Sequence, residues 1–165
     1  MIRVDADRVY VRPLLGSDIG MHYVHWFEDE KVRRFIKYAR GLPTLEDLRD
    51  YWQKMDRRTG VEFLGIFLNM GDRHIGNIKY ETGPASDEMH VGFLIGNSEY
   101  RGKGILGEVL DTCSQLVMKK YQLRRLYLTV DPNNKAGIRA FAKLGYVNTG
   151  KIDSLGDLEM DFAGQ

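Results

Sequence analysis

The hydrophobic pattern of this chain alternates between the two-residue period of strands and the 3.6-residue period of helices. Residues 9–14 alternate between apolar and polar positions and are rich in β-branched and aromatic side chains, which predicts a first strand that ends near a proline. Similar runs predict further strands at 61–68, 73–82, about 89–95, 125–130, 146–151 and, as a candidate last strand, 158–162. Turn-forming residues at 69–72 and 83–87 separate the second, third and fourth of these runs, so we expect three successive antiparallel strands.

The segment between the first and second predicted strands has apolar residues at helical spacing. Ser17 is predicted to cap a helix over 18–27, and the acidic run 28–30 to start a second, short helix. The apolar side of that second helix would contain Val32, Phe35 and Ile36. Thr44 and Asp47 resemble a capping box before a third helix, whose apolar positions are Leu45, Leu48, Tyr51, Trp52 and Met55.

Two more helices are predicted in the carboxyl-terminal half. The first has one apolar face, formed by Leu106, Val109, Leu110, Cys113, Leu116 and Val117. The second runs from Asn134 to Leu144 and ends at Gly145. The element order predicts an α/β (α+β) fold with a mixed, largely antiparallel sheet flanked by helices. The strand at 125–130 should lie parallel to the strand at 89–95, because a helix joins them.

The turn between that strand and its helix is the most informative segment. Its sequence is Arg101-Gly102-Lys103-Gly104-Ile105-Leu106, and it opens a helix. Unpaired N–H groups at a helix start bind anions, the two glycines allow a sharp turn with close approach, and Arg101 and Lys103 add positive charge. The segment therefore predicts an anion site, most naturally for phosphate.

Composition narrows the class of protein. The 165 residues are 43% hydrophobic, which fits one domain over residues 1–165. A net charge of +1 without a dense basic tract argues against nucleic acid as a partner. No stretch suits a signal peptide or a membrane span, so we expect a cytoplasmic protein with no membrane partner. Cys113 is the only cysteine, and its place on an apolar stripe favours a core role over a nucleophilic one.

Two segments resemble the acetyl-CoA-binding half of the GNAT (GCN5-related) N-acetyltransferases. They are the turn at 100–105 with the helix after it, and the stretch from Asn134 to Tyr146. The resemblance extends to 74–79 and 26–30, which are similar to the branch that contains ribosomal-protein N-terminal acetyltransferases and enzymes that acetylate amino sugars. It covers nearly the whole chain. It implies a GNAT-like fold, in which a splayed strand pair binds acyl-CoA, and an acetyl-CoA-dependent N-acetyltransferase without a metal.

The resemblance also implies where acetyl-CoA binds. Its pyrophosphate would lie on the turn that the family writes R/Q-x-x-G-x-G/A, filled here by Arg101, Gly102, Lys103, Gly104, Ile105 and Leu106. Leu106 departs from the usual glycine or alanine. We expect altered packing there and retained binding, because the amide can still face the phosphate.

The remaining cofactor contacts are implied on the strand and on the last helix. The pantetheine arm would pair with the backbone of Phe93, Leu94 and Ile95, as an added strand does. Asn134 matches an asparagine that contacts the cofactor. It is equally suited to cap the helix that it precedes, and both roles can hold at once.

Transfer to an amine needs a base, because an alkyl ammonium has a pKa of about 10. Glu88 and His90 are the candidates, since they share one face of the strand that leads into the turn. The alternatives are a structural histidine and a solvated strand-end charge. The tyrosine that many family members use to protonate the thiolate is Phe141 here, so that role falls to Tyr127, to Tyr146 or to water, or the chain binds acyl-CoA without turnover.

The acceptor is open at this point. The favoured function is acetyl transfer to a primary amine by direct attack in a ternary complex, with an amino sugar or nucleotide-linked sugar, or a protein amino terminus, as acceptor. A non-catalytic acyl-CoA sensor is the alternative, and a P-loop nucleotide binder is disfavoured because its motif is absent. Cations at 31, 33, 34, 37 and 40 suit a phosphate-bearing acceptor. The aromatic residues of the amino-terminal helices are more often core than a stacking surface, and they are Trp26, Phe35, Tyr38, Tyr51 and Trp52. A homodimer is common in the family that the chain resembles.

Overall fold

The computed structural model describes residues 1–35 and 41–164 and contains eight strands within them. The strands are β1 (Val4–Asp5), β2 (Val9–Pro13), β3 (Val61–Leu68), β4 (His74–Thr82), β5 (Glu88–Ile95), β6 (Arg125–Val130), β7 (Tyr146–Ile152) and β8 (Leu158–Phe162). They form one sheet in the order β1-β2-β3-β4-β5-β6-β8-β7. Only the β5–β6 pair is parallel. The predicted mixed, largely antiparallel sheet is confirmed.

Five helices within the described residues cover both faces of this sheet. They are α1 (Met21–Trp26), α2 (Glu30–Phe35), α3 (Leu45–Asp56), α4 (Ile105–Tyr121) and α5 (Lys135–Lys143). Helices α4 and α5 pack on one face, over a mostly aliphatic core that includes Val109, Leu110 and Leu128. Helices α1 and α3 pack on the other face, over a smaller core rich in aromatic side chains. The sheet therefore separates two chemically different sides.

Several local predictions are confirmed by hydrogen bonds and burial. The Thr44 hydroxyl oxygen accepts a hydrogen bond from the Asp47 N–H at 3.1 Å, and the Asp47 carboxylate accepts one from the Thr44 N–H at 2.8 Å. Cys113 is fully buried in the core beneath α4. Leu116, which the pattern placed on the apolar face of α4, is 38% exposed and lies at the edge of that face.

The first predicted helix begins later than expected. Residues Gly16–Asp18 form a single 3₁₀ turn, and α1 begins only at Met21, so the prediction of Ser17 as its cap is wrong. The Asp18 carboxylate explains the turn. It accepts hydrogen bonds from the Arg12 guanidinium at 2.7 and 2.9 Å and from the Leu15 N–H at 2.7 Å, which closes the chain before the helix can start. The two-residue strand β1 was not predicted.

Part of the predicted amino-terminal surface lies outside the described residues. The side chains of residues 34–40 fall there, and with them the predicted roles of Phe35, Ile36 and Tyr38 and of the cations at 34, 37 and 40. Within the described part, Trp26 is buried and Trp52 packs against the aromatic core, its ring N–H donating to the Leu14 carbonyl oxygen at 2.8 Å. For these two residues the core interpretation is confirmed.

Candidate active site

Strands β5 and β6 are paired over only part of their length. The parallel register joins Glu88 to Arg125, Met89 to Leu126 and His90 to Tyr127, and it ends there. Beyond these pairs, β5 continues to Ile95 and β6 to Val130, and the two strands no longer pair with each other. They therefore diverge. The expected splay is therefore present. It opens a cleft of about 360 Å³, which lies between the ends of these strands and is also lined by residues of α3, α5 and the β7–β8 loop.

The glycine turn follows β5 at the open end of the splay. Gly102 and Gly104 have φ angles of 69° and 74°, values that side chains with a Cβ rarely adopt. No side chain caps α4 at Gly104. Among the residues that the structure describes, none accepts a hydrogen bond from the N–H groups of 102–106. These amides are available to an anion, as the sequence predicted.

The Arg101 side chain is placed differently from the prediction. Its guanidinium donates to the Asp29 carboxylate at 2.7 Å and to the carbonyl oxygens of Ile95 and Gly96 at 2.9 and 3.0 Å. It therefore braces the end of β5 against the α1–α2 connection, and its charge is paired with Asp29. The pKa of the Asp29 carboxyl is lowered by this hydrogen bond. The expectation that Arg101 lends its charge to the anion is not met by this geometry.

A second arginine, which sequence reasoning missed, lies beside the turn. Arg8, between β1 and β2, donates through its guanidinium to the Lys103 carbonyl oxygen at 2.8 Å and to the Glu108 carboxylate. The Glu108 carboxylate also accepts from the Arg8 N–H at 3.0 Å. Arg8 is 95 positions from Lys103 in the chain, and no local pattern in the sequence indicates this contact.

The other residues of the turn divide between solvent and core. The Lys103 side chain is exposed, with its ammonium 6.0 Å from the centre of the Tyr100 ring. Ile105 is buried, and Leu106 is partly buried and packs against the core on the α4 side. The bulky Leu106 side chain therefore points into the protein while its amide stays free, which is the arrangement expected for this departure from the family pattern.

Of the residues predicted to bind the cofactor, Phe93, Leu94 and Asn134 line the cleft, whereas Ile95 and the turn residues 101–106 are not among its lining residues. Phe93 and Ile95 pack against the α4-side core and Leu94 against the aromatic core, so the three residues alternate between the faces of the sheet. The Phe93 ring contacts Phe141 of α5, with ring centres 5.0 Å apart. Asn134 lines the cleft and also caps α5, its side-chain oxygen accepting from the Gly137 N–H at 3.0 Å.

The structure separates the two candidate bases. His90 lines the cleft at the point where the strands diverge, and its Nε2 lies 3.0 Å from the Thr129 hydroxyl on β6. Burial lowers the pKa of His90, and the nearby Lys79 ammonium adds to this effect. Glu88 is not among the residues that line the cleft. Its carboxylate accepts a hydrogen bond from Arg124 at 2.7 Å and lies 3.7 Å from Arg125.

The two tyrosines considered as acids lie outside the cleft lining. Tyr127 packs between the His90 ring, 5.4 Å away, and the Arg125 guanidinium, 4.2 Å away. Tyr146 is buried beneath α4, where its hydroxyl lies 3.3 Å from the Ser114 hydroxyl, and burial raises its pKa. The cleft does contain Tyr51, whose hydroxyl oxygen accepts a hydrogen bond from the Lys79 ammonium at 3.0 Å.

Sequence reasoning also missed a chain of polar groups in the wall between β4 and α1. His22 of α1 lies 3.0 Å from the buried His74, and His74 lies 2.7 Å from the buried Asn77, which lines the cleft. His74 and Asn77 are three positions apart, so a regular strand would place them on opposite faces. The register of β4 against β3 shifts between the pairs made by His74 and Gly76, and the extra residue Ile75 brings both side chains to the same face.

Comparison with known proteins agrees with this geometry. Residues 8–147 match the model of the family described as acetyltransferase (GNAT) domain. The chain belongs to the GNAT acetyltransferase family. It is therefore an acetyltransferase, and acetyl-CoA is the acetyl donor typical of GNAT domains.

Several relatives of this GNAT chain have been named. Probable N-acetyltransferase YjcK of Bacillus subtilis (strain 168) is 24% identical over 150 residues, which are 86% of this chain and 82% of YjcK. Ribosomal-protein-S5-alanine acetyltransferase from Vibrio fischeri has a TM-score of 0.79 at 19% identity, covering 98% of this chain and 94% of that one. A spermidine N-acetyltransferase chimera from Vibrio cholerae and hSSAT has a TM-score of 0.77 at 14% identity, covering 94% of this chain and 95% of that one. At these identities the two structures establish the fold alone.

No group of three or more histidine, cysteine, aspartate or glutamate side chains in the described residues is arranged to hold a metal ion. No helix in the same residues is long and apolar enough to cross a membrane.

Proposed function

We propose that this GNAT acetyltransferase transfers the acetyl group of acetyl-CoA to a primary amine by direct attack in a ternary complex. The observation that carries the proposal is the row of free amides at 102–106, placed at the open end of a split strand pair. An amino sugar or nucleotide-linked sugar and a peptide amino terminus are the two acceptor classes that we consider.

The residues around the cleft fit the cofactor. The amides of 102–106 would hold the pyrophosphate, and the unpaired edge of β5 at Phe93–Ile95 would pair with the amides of the pantetheine arm. Asn134 lines the same cleft, and its amide nitrogen would be left to contact the cofactor because its oxygen is used by the helix cap. When bound, the cofactor supplies an acetyl group activated as a thioester.

His90 is proposed as the base. It lies at the inner end of the cleft, and burial keeps its pKa below the ordinary value for histidine, so the ring is neutral at neutral pH and can accept a proton. The contact with Thr129 fixes the ring orientation. Glu88 is proposed only as a structural ion-pair partner, because its carboxylate is directed to Arg124.

No dedicated acid is required. Phe141, at the position of the family's tyrosine, places a phenyl ring against Phe93 and has no proton to donate. A cysteine thiol has a pKa of about 8.5 and a thiol is far more acidic than an alcohol, so a thiolate that leaves near neutral pH takes a proton from water without a strong acid. The cleft is open to solvent, and we propose that water serves this role.

Phe141 also motivates a second candidate, a protein that binds acyl-CoA without transferring the acyl group. Both candidates predict cofactor binding, so only turnover separates them. The purified chain is titrated with acetyl-CoA by calorimetry and then incubated with acetyl-CoA and a panel of amines while free thiol is followed. We expect binding together with acceptor-dependent thiol release. Binding without thiol release from any amine would favour the sensor, and absence of binding would remove both candidates.

A further inference from the structure

The wall of the cleft formed by β4 contains one polar side chain that is buried yet has an unused donor. Asn77 is only 5% exposed and lines the cleft. Its side-chain oxygen lies 2.7 Å from His74 Nε2. Within residues 1–35 and 41–164, no group accepts a hydrogen bond from its side-chain nitrogen, and that nitrogen is not among the fully buried atoms without a partner. The nitrogen therefore faces the cleft.

The hydrogen bonds behind Asn77 define which atoms donate. A carbonyl oxygen only accepts, so His74 must donate through Nε2–H. A neutral imidazole has one N–H, which leaves His74 Nδ1 as an acceptor for the Nε2–H of His22, 3.0 Å away. Burial holds His74 in this neutral form by lowering its pKa to about 4.

Aromatic packing fixes the position of the His74 ring. The ring stacks on Phe67 with centres 5.1 Å apart and meets the edge of Trp26 at 4.8 Å. Trp26 is itself held by close packing on Gly96, where even a Cβ atom would lie 1.9 Å from the indole. The imidazole cannot turn without moving α1, so the direction of the Asn77 amide is set by the fold.

We propose that His22 and His74 are positioning residues, which hold the Asn77 amide so that its NH₂ group binds an oxygen atom of the amine acceptor. This rests on the proposed function and narrows its substrate class. The acceptor carries a carbonyl, hydroxyl or ring oxygen that reaches Asn77, as aminoacyl groups and amino sugars do. A polyamine offers only N–H donors when protonated, and it would leave the buried NH₂ group unpaired.

The first test reads the hydrogen-bond chain directly and needs no turnover. Histidine ring nitrogens of the ¹⁵N-labelled chain are assigned at pH 7.5 by two-bond proton–nitrogen correlation. We expect both His22 and His74 to be neutral and protonated on Nε2. A proton on Nδ1 of His74 would reverse the chain, turn the Asn77 oxygen toward the cleft and overturn the proposal.

The second test uses alaninamide, glucosamine and spermidine as probes, each titrated into the acetyl-CoA-treated chain. The side-chain NH₂ signals of Asn77 are followed. We expect saturable shifts with alaninamide or glucosamine and none with spermidine. Shifts with spermidine alone, or with none of the three, would contradict the proposed recognition. This readout is decisive even if no probe is acetylated, an outcome that would count against the proposed function only.

The third test is kinetic and uses whichever probe is acetylated fastest. Asn77→Asp keeps the size of the side chain and an acceptor for His74 but replaces NH₂ by an oxygen. We expect the KM for the amine to rise about tenfold or more, with the KM for acetyl-CoA unchanged. His74→Leu should raise the same KM by a smaller factor, and His74→Gln, which retains a donor, should restore part of it. Equal changes in the KM for the amine and the KM for acetyl-CoA, or an unchanged KM for the amine, would show that these residues have only a structural role.

Discussion

The two sides of the proposed site would recognise their ligands by different means. The proposed cofactor side consists of consecutive backbone amides at 102–106, whose direction is set by two glycines and a helix start. The proposed acceptor side consists of side chains from distant segments, with His22 on α1, His74 and Asn77 on β4 and His90 on β5. One side is contiguous in sequence and the other exists only after folding.

This difference explains how each side tolerates change. An amide is supplied by any residue except proline, so Leu106 replaces a small residue of the family pattern while its N–H stays available. An imidazole that both donates and accepts has few substitutes, and the aromatic core around His74 fixes its position. Mutations on the cofactor side should therefore act through backbone conformation, and those on the acceptor side through side-chain chemistry.

The largest expected effect lies on the acceptor side, at His90. His90→Gln retains a polar contact with Thr129 but cannot take a proton, so kcat should fall by about 100-fold or more. The wild-type kcat should fall on acidification once the pH drops through the pKa of His90, which burial places below the ordinary value for histidine. The variant should not show this fall in kcat.

Glu88→Gln is the matched control for His90, because Glu88 lies on the same strand face and its carboxylate is paired with the exposed Arg124. Its kcat and pH profile should remain close to wild type. A large loss in Glu88→Gln with an active His90→Gln, measured as pH–rate profiles, would reverse the assignment of the base.

The second-largest expected effect is on stability, and it tests the buried neutral state of His74 on the proposed acceptor side. The folded protein keeps His74 neutral down to a pKa of about 4, whereas a histidine in the unfolded chain binds a proton near pH 6.5. Between these values the unfolded state binds more protons, so the free energy of unfolding should fall as pH falls, by up to roughly 3 kcal/mol. Denaturant titrations at pH 7.5 and 4.5 measure this loss. In His74→Phe the loss should be clearly smaller, and an unchanged pH dependence would contradict the buried neutral state.

The third prediction tests the cofactor side through its backbone. Gly104→Ala places a Cβ on a residue with φ of 74°, which costs about 1–2 kcal/mol or drives the turn to rearrange. The affinity for acetyl-CoA should fall about tenfold, as measured by calorimetry. Gly150→Ala is the matched control, since it carries the same strain at φ 76° on β7, the last strand at the opposite edge of the sheet from β1, with nothing within 4 Å of its Cβ. This control variant should be less stable than wild type but keep its affinity for acetyl-CoA. If both variants bound acetyl-CoA equally well, the proposed role of the glycine turn in binding would be contradicted.

The smallest effect is expected at Cys113, which touches neither side of the cleft. The thiol is fully buried, and burial raises its pKa to about 12, so it is not a nucleophile at neutral pH. Cys113→Ala should keep full activity and lose about 1 kcal/mol of stability from the small cavity. A variant that melts like wild type but transfers no acetyl group would be evidence against direct attack.

The sequence predicted most of the elements closely. The predicted bounds 125–130 and 158–162 agree with β6 and β8, and the helix after the glycine turn begins at Ile105. These elements were predictable because each depends on local periodicity or on a turn with few conformations. The start of α1 was not, because the distant Arg12–Asp18 pair overrides the local signal at Ser17.

By itself, then, the sequence determined the order of strands and helices, the glycine turn and its likeness to GNAT acetyltransferases. The tertiary structure alone decided that His90 rather than Glu88 faces the cleft, that the Arg101 side chain pairs with Asp29, and that Arg8 lies beside the turn. It also decided, through the extra residue Ile75, that His74 and Asn77 share a face. The physical reason is the separation along the chain of the residues that determine each feature. Backbone conformation is set by near neighbours, whereas the partner of a side chain is set by which strands pair and where their register shifts.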